Sequence, residues 1–205
     1  MGPIETIEYK GFNILVHQDD FFELNGPRDW DNLGHMVCIH RNYDLGDKHE
    51  MDHDEIIALT ERGDVEYLWL FLLDHSGLWM STSKFACDPG GWDTSRVGII
   101  YVTHEDIKKE YGRVTKTTIK KAYKLMKGEV ETYNQYLTGE VYGFTIEPLA
   151  DTEIECNDSC WGYYGYDYAM KEMVAEAKSS IDYAIEQHQK MEAEITQLMT
   201  ECWAY

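Results

Sequence analysis

Between Met170 and Leu198 apolar residues recur at alternating gaps of four and three: Met170, Val174, Ala177, Ile181, Ala184, His188, Met191, Ile195 and Leu198, with His188 the single polar member. Only a continuous α-helix turns that spacing into one stripe, and a helix of ~30 residues is ~45 Å long. Met173, Ile185 and Met199 widen the stripe, which favours packing on a sheet or bundle over an isolated two-stranded coil. Two readings follow. The helix packs on its own domain, or it is a dimerisation helix using Val174, Ile181, His188, Met191, Ile195 and Leu198, since ~45 Å exceeds the width of a small sheet.

The chain ahead of this helix reads mainly as strands. Thr6–Lys10 and Phe12–His17 flank a glycine as a hairpin, and Met36–Arg41 is a short apolar run. Glu66–Asp74 is the strongest strand; it meets the turn Asp74-His75-Ser76-Gly77, and Leu78–Lys84 returns antiparallel to it. Val97–Val102 and Glu140–Glu147 complete the set, the latter being the last strand expected. Asp52 and Glu55 form a capping box for a short helix, and Thr103 caps another over His104–Tyr111. Residues 115–137 read as a longer helix or a pair broken at Gly128. The expected architecture is α+β: a mainly antiparallel sheet of about five to seven strands, with short helices and one long C-terminal amphipathic helix. Residues 1–167 would form the sheet domain, and residues 168–205 the helix that packs on it or mediates dimerisation.

Charge bounds the partners. Thirty-eight acidic residues face eighteen basic ones, a net charge of −20, with the first 60 and last 55 residues each carrying −9. Such a field repels nucleic acid and anionic membranes and attracts basic surfaces, including the nucleic-acid channels of other proteins. No apolar run spans a bilayer, and no signal pattern opens the chain. Five cysteines without framework spacing suit a reducing cytoplasm. Cys156 and Cys160 in CNDSC match no common zinc spacing, and no cofactor or metal is expected.

Several strings invite chemistry. His49-Glu50-Met51-Asp52-His53 is a literal H-E-x-x-H, but the Asp52/Glu55 capping box starts a helix between the histidines, where a zinc protease needs both on one turn. Asp29-Trp30-Asp31-Asn32-Leu33-Gly34 begins like a calcium loop and then offers Leu33 and His40 where oxygen ligands belong. Polar residues gather near strand ends: His40, Asp47, Asp74, His75 and Asp93. Brought together, they would serve a small hydrolase or nucleotide-binding protein acting on a phosphate-containing substrate or signal; apart, they are turn residues. The aromatic segment Asp158, Trp161, Tyr163, Tyr164, Tyr166, Asp167 reads as a partner-binding loop or an aromatic cap on the sheet. Lys108–Lys127 holds eight basic residues in twenty, read as a solvated helix face or a patch for an acidic surface.

The strings RDWDNLGHMVCIHRNYDLGDKH, LLDHSGLWMSTSKFACDPGGWDTSRVGIIYV, EVETYNQYLTGEVYGF and DSCWGYYGYDYA resemble a family of uncharacterised small proteins carried by phages and integrative or conjugative elements of Gram-positive bacteria. The resemblance spans roughly residues 27–169. It implies a mobile-element setting, in which small acidic proteins block host defence nucleases by imitating DNA charge. The expected function is thus a non-enzymatic inhibitor of the anti-restriction or anti-CRISPR type in the bacterial host cytoplasm. It would bind a host protein with a basic surface, bind no nucleic acid directly and meet no membrane. A phosphate-directed small hydrolase or nucleotide-binding protein is the alternative, and a virion or structural assembly component the second.

Overall fold

The structure is a computed structural model that describes residues 2–20, 26–150 and 152–203. The strands are β1 (Glu5–Tyr9), β2 (Phe12–Gln18), β3 (His35–Cys38), β4 (Val65–Asp74), β5 (Leu78–Ser81), β6 (Thr94–Thr103), β7 (Val141–Pro148) and β8 (Ser159–Tyr164). The α-helices are α1 (His53–Thr60), α2 (His104–Tyr111), α3 (Lys116–Thr138) and α4 (Tyr166–Cys202). The fold is α+β, as expected, but the strands form two four-stranded antiparallel sheets where one was anticipated. Contacts divide the chain into a first unit, Met1–Phe21 with Glu140–Tyr205, and a second, Phe22–Gly139. The anticipated sheet domain over residues 1–167 is therefore shared between two units, and α4 falls in the first with the sheet it covers.

In the first unit the order is β1-β2-β7-β8. Lys10 and Gly11 link β1 to β2 with φ of 47° and 84°. Positive φ at both central residues is what a two-residue hairpin needs to follow the strand twist. Alternate residues Phe12, Ile14 and Val16 point inward with Phe144 and Ile146, and α4 covers them with Met173, Ala177 and Ile181. The last strand, β8, escaped the sequence reading. It pairs with β7 through a bulge in which Gly162, at φ 85°, is the extra residue between Trp161 and Tyr163.

In the second unit the order is β3-β6-β4-β5, with a helix on each face. Alternation along β4 divides the work: Leu70 and Leu72 face α3, whereas Tyr67 and Trp69 lie with Ile99 towards Ile56 and Leu59 of α1. Ala122, Met126, Val130 and Tyr133 form the buried stripe of α3, which runs unbroken through Gly128. An exposed glycine costs a helix about 1 kcal/mol, too little to break one whose apolar face is anchored on both sides. The Asp52/Glu55 and Thr103/Asp106 capping boxes are both present, and Gly112 ends α2 at φ 78°.

Gly98 fixes how closely β3 and β6 approach, since a Cβ there would lie 1.9 Å from the Val37 carbonyl oxygen. That atom is backbone and cannot swing aside. Gly98→Ala should cost about 3 kcal/mol, read as a lower urea midpoint; an unchanged midpoint would show that the β3–β6 pair relaxes freely.

Candidate functional site

Asp47, a candidate acid from the sequence, is held in a mostly buried polar network of the second unit. Arg28 lies in a short 3-10 turn at Pro27–Asp29, and its guanidinium forks onto Asp47, Nε to Oδ1 at 2.7 Å and a terminal nitrogen to Oδ2 at 3.0 Å. It also donates to the Gly34 carbonyl at 2.6 Å and to Glu129 Oε2 at 3.3 Å. Glu129 accepts the backbone N–H groups of Leu33 and Gly34, and Asp47 accepts that of Met36. Arg28 and Glu129 side chains are each 8% exposed. Burial works against the guanidinium charge, but Asp47 and Glu129 more than offset it and hold the Arg28 pKa above its ordinary value. The Asp47 carboxylate thus accepts from Arg28 and the Met36 N–H, and no hydrogen bond among the described residues joins it to the other four candidates.

Those four lie at one end of the second sheet. His40 stacks on Tyr43 with ring centroids 5.0 Å apart, and the Tyr43 hydroxyl is 3.4 Å from Asp74 Oδ1. The backbone N–H of Asp74 donates to the Asp93 carbonyl, and His75 Nδ1 is 2.9 Å from Asp93 Oδ2. Asp88 shapes the adjoining loop by accepting the N–H groups of Trp92, Asp93 and Thr94. Desolvation, the largest single influence, pushes the Asp88 pKa up, but these hydrogen bonds together outweigh it and leave the pKa lowered from its ordinary value. Beside this loop a cleft of about 680 Å³ is lined by Trp69, Phe71, Lys84, Phe85 and Arg96 among others, with the Arg96 guanidinium 4.2 Å from the Trp69 ring centroid. A second cleft, about 640 Å³, runs along Cys38–Met51 past His40 and Asp47.

The H-E-x-x-H string makes no shared site. His49 sits in a loop, its Nδ1 accepting the Met51 N–H and its Nε2 2.9 Å from the Cys38 carbonyl, while exposed His53 opens α1. Among the described residues no three His, Cys, Asp or Glu side chains gather to hold a metal ion. Burial, chiefly, pushes the Cys38 thiol up to about 12, which disfavours the reactive thiolate form.

In the first unit the aromatic segment is strand and helix start rather than loop. Trp161 lies across Gly143, where a Cβ would come within 2.3 Å of the indole, and meets His17 at 5.8 Å between centroids. Tyr163 turns the other way, donating to Glu176; burial first, then Cys160 and Glu176, raises its pKa. Asp158 accepts the Ser180 hydroxyl at 2.7 Å, and Tyr166 reaches Glu5 and packs edge-on to Tyr142. Tyr164 ends β8, and Asp167 is exposed in the first turn of α4. Trp161, Tyr166 and Tyr168 keep 45%, 45% and 62% of their surface in solvent. The segment is thus partly an aromatic cap and partly an exposed face.

Comparison of the chain with protein families, curated proteins and solved structures finds no match. Sequence reading missed Arg28, Tyr43, Asp88, Arg96 and Glu129 as organising residues. Glu129 had a signal: it lies between Met126 and Val130, on the buried side of a helix that is otherwise polar and lysine-rich.

Removing one member of a buried charge network leaves the others uncompensated, typically at about 3–5 kcal/mol. Arg28→Ala should destabilise by that amount in urea unfolding followed by tryptophan fluorescence. Arg28→Lys should recover little, because an ammonium cannot reproduce the fork onto Asp47. A loss below about 1 kcal/mol for Arg28→Ala would reduce the network to the worth of a surface ion pair.

Proposed function

We propose that this chain is a non-enzymatic binding protein whose first unit presents acidic side chains to a basic, nucleic-acid-binding surface of a host protein, as an inhibitor of a host defence enzyme carried by a phage or mobile element. It would act in the bacterial host cytoplasm and bind no nucleic acid itself. The observation that supports this reading is where the charge lies. The first unit holds eighteen acidic and four basic residues, net −14, leaving twenty and fourteen, net −6, in the larger second unit. Three of its four lysines are already engaged: Lys10 with Asp182, Lys171 with Glu172 and Lys190 with Glu186. The fourth, Lys178, lies 5.2 Å from the Tyr9 ring centroid. Few positive charges are left to moderate the field, and Trp161, Tyr166 and Tyr168 add apolar contact area to the same unit.

No helix among the described residues is long and apolar enough to cross a membrane. The experiment is capture of basic partners from a host lysate carrying several defence systems, followed by affinity measurement at two salt concentrations. Affinity should fall at least tenfold between about 50 and 200 mM salt, as it does when several phosphate-like contacts are screened. Reversing Glu147, Glu153 and Glu155 to Lys should weaken binding far more than reversing Asp44, Glu50 and Glu105 in the second unit. Salt-independent affinity would sink the charge-mimicry reading.

A second reading rests on the 2.9 Å contact of His75 with Asp93. An imidazole oriented by a carboxylate is a general base in waiting, and Lys84 and Arg96 line the cleft beside that loop. Under this reading the second unit acts on a phosphate-containing substrate. His75→Ala should then abolish turnover of a nucleotide or phosphodiester panel; a wild-type protein inert on every member removes the reading.

A further inference from the structure

Residues Tyr166–Ile185 of α4 cover the first unit's sheet, and there the apolar stripe is consumed: Met173, Ala177 and Ile181 are fully buried, with Met170, Ala184 and Ile185 partly so. Of the six residues assigned to a dimer seam, Ile181 is therefore spent inside the protomer, and Val174 and His188 are partly covered. From Gln189 to Trp203 every residue is exposed. Yet the stripe does not stop. Met191, Ile195, Leu198, Met199 and Trp203 are 59%, 51%, 61%, 57% and 85% exposed. At about 100° per residue, the first four fall within roughly 60° of the direction of Ala177. The helix thus runs past the edge of its sheet with the same apolar face still turned to the side on which the sheet lay.

We infer that a second copy of this chain covers that face, and that the two distal α4 segments pair antiparallel. Self-pairing suits the surface because it continues a heptad stripe, and a twofold axis through it brings like apolar residues together in an isologous contact. Covering those five side chains in both copies removes on the order of 1,000 Å², Trp203 offering roughly 200 Å² in each. That reaches the lower end of a specific interface. Orientation follows from the sheet. In a parallel pair each protomer's own sheet would occupy the space into which its partner's proximal α4 must pass, because sheet and seam share one helix face. In an antiparallel pair the two sheets lie at opposite ends, and only the distal segments overlap.

The interface has a salt signature opposite to the one argued for the host partner. Two chains of net −20 repel each other, and the distal segment, with Glu186, Glu192, Glu194 and Glu201 against Lys190, adds to that. Screening should therefore strengthen self-association while it weakens binding to a basic protein, so the two proposals fail independently. Sedimentation of the full chain at roughly 100 μM should give a dimer whose fraction rises with salt. The variant Ile195→Glu/Leu198→Glu should be monomeric with an unchanged thermal melt, since neither side chain is buried in the protomer. For orientation, a spin label on Ser179→Cys, with Cys87 and Cys202 replaced by serine, should give an interlabel distance of roughly 45 Å. A wild-type monomer, or a dimer that survives the double glutamate variant, overturns the interface. A distance below about 25 Å overturns the antiparallel arrangement.

Discussion

The second unit is organised around one guanidinium. β3 has only four residues, too few to hold its place by ladder hydrogen bonds alone, and loops without regular structure lie on either side of it. Arg28 ties the preceding loop through the Gly34 carbonyl, the following loop through Asp47, and both to α3 through Glu129. Gly34 has to be glycine for this closure, since a Cβ would sit 2.8 Å from a Glu129 oxygen and 2.7 Å from Ile100. A buried ion network of this kind adds little net stability over an apolar replacement, but leaving one member unpaired is expensive. Its value lies in specificity: a shifted β3 would strand two carboxylates and a guanidinium away from water.

That network shows what a linear reading can and cannot find. Local signals transferred well. The capping boxes at Asp52 and Thr103, the hairpin around Gly11 and the strand over Glu66–Asp74 with its turn into β5 were readable because backbone and side chain cooperate within a few residues. Signals needing a distant partner did not transfer. Arg28 and Glu129 are 101 residues apart, and nothing near either one announces the other. β8 was read as an aromatic loop because Gly162 interrupts its alternation, and that glycine makes sense only as a bulge against β7. The division into two sheets was equally hidden, since β2 and β7 are paired across the whole second unit in sequence.

The same distinction governs the candidate chemistry. Asp47, Asp74, His75, Asp93 and His40 look alike in sequence, as polar residues near strand ends. Three-dimensional context separates them: Asp47 is engaged by Arg28 and the Met36 N–H, whereas His75 and Asp93 face solvent with side chains 69% and 46% exposed. An exposed imidazole–carboxylate pair is strongly screened, which is why it ranks below the charge of the first unit as a guide to function. The acidic excess gained an address in the same way. By sequence it sat at both termini; in the fold the C-terminal −9 joins the −3 of residues 1–21 in one unit of net −14, while the rest of the N-terminal excess, residues 22–60, belongs to the second unit.

α4 carries the first unit's longest surface, and its stripe has two fates because the sheet beneath it is finite. Four strands spaced about 4.8 Å apart span less than 20 Å, whereas 37 residues of helix extend about 55 Å. No tilt of the helix lets so small a sheet cover all of it. The proximal half is dry and fixed by Met173, Ala177 and Ile181. The distal half keeps its apolar spacing with no sheet to satisfy, although Glu or Lys at Ile195 or Leu198 would have cost the protomer nothing in packing. A stripe maintained beyond the reach of its own domain is the surface on which the proposed self-pairing rests. Here the shared helix face restricts how a second copy could cover it.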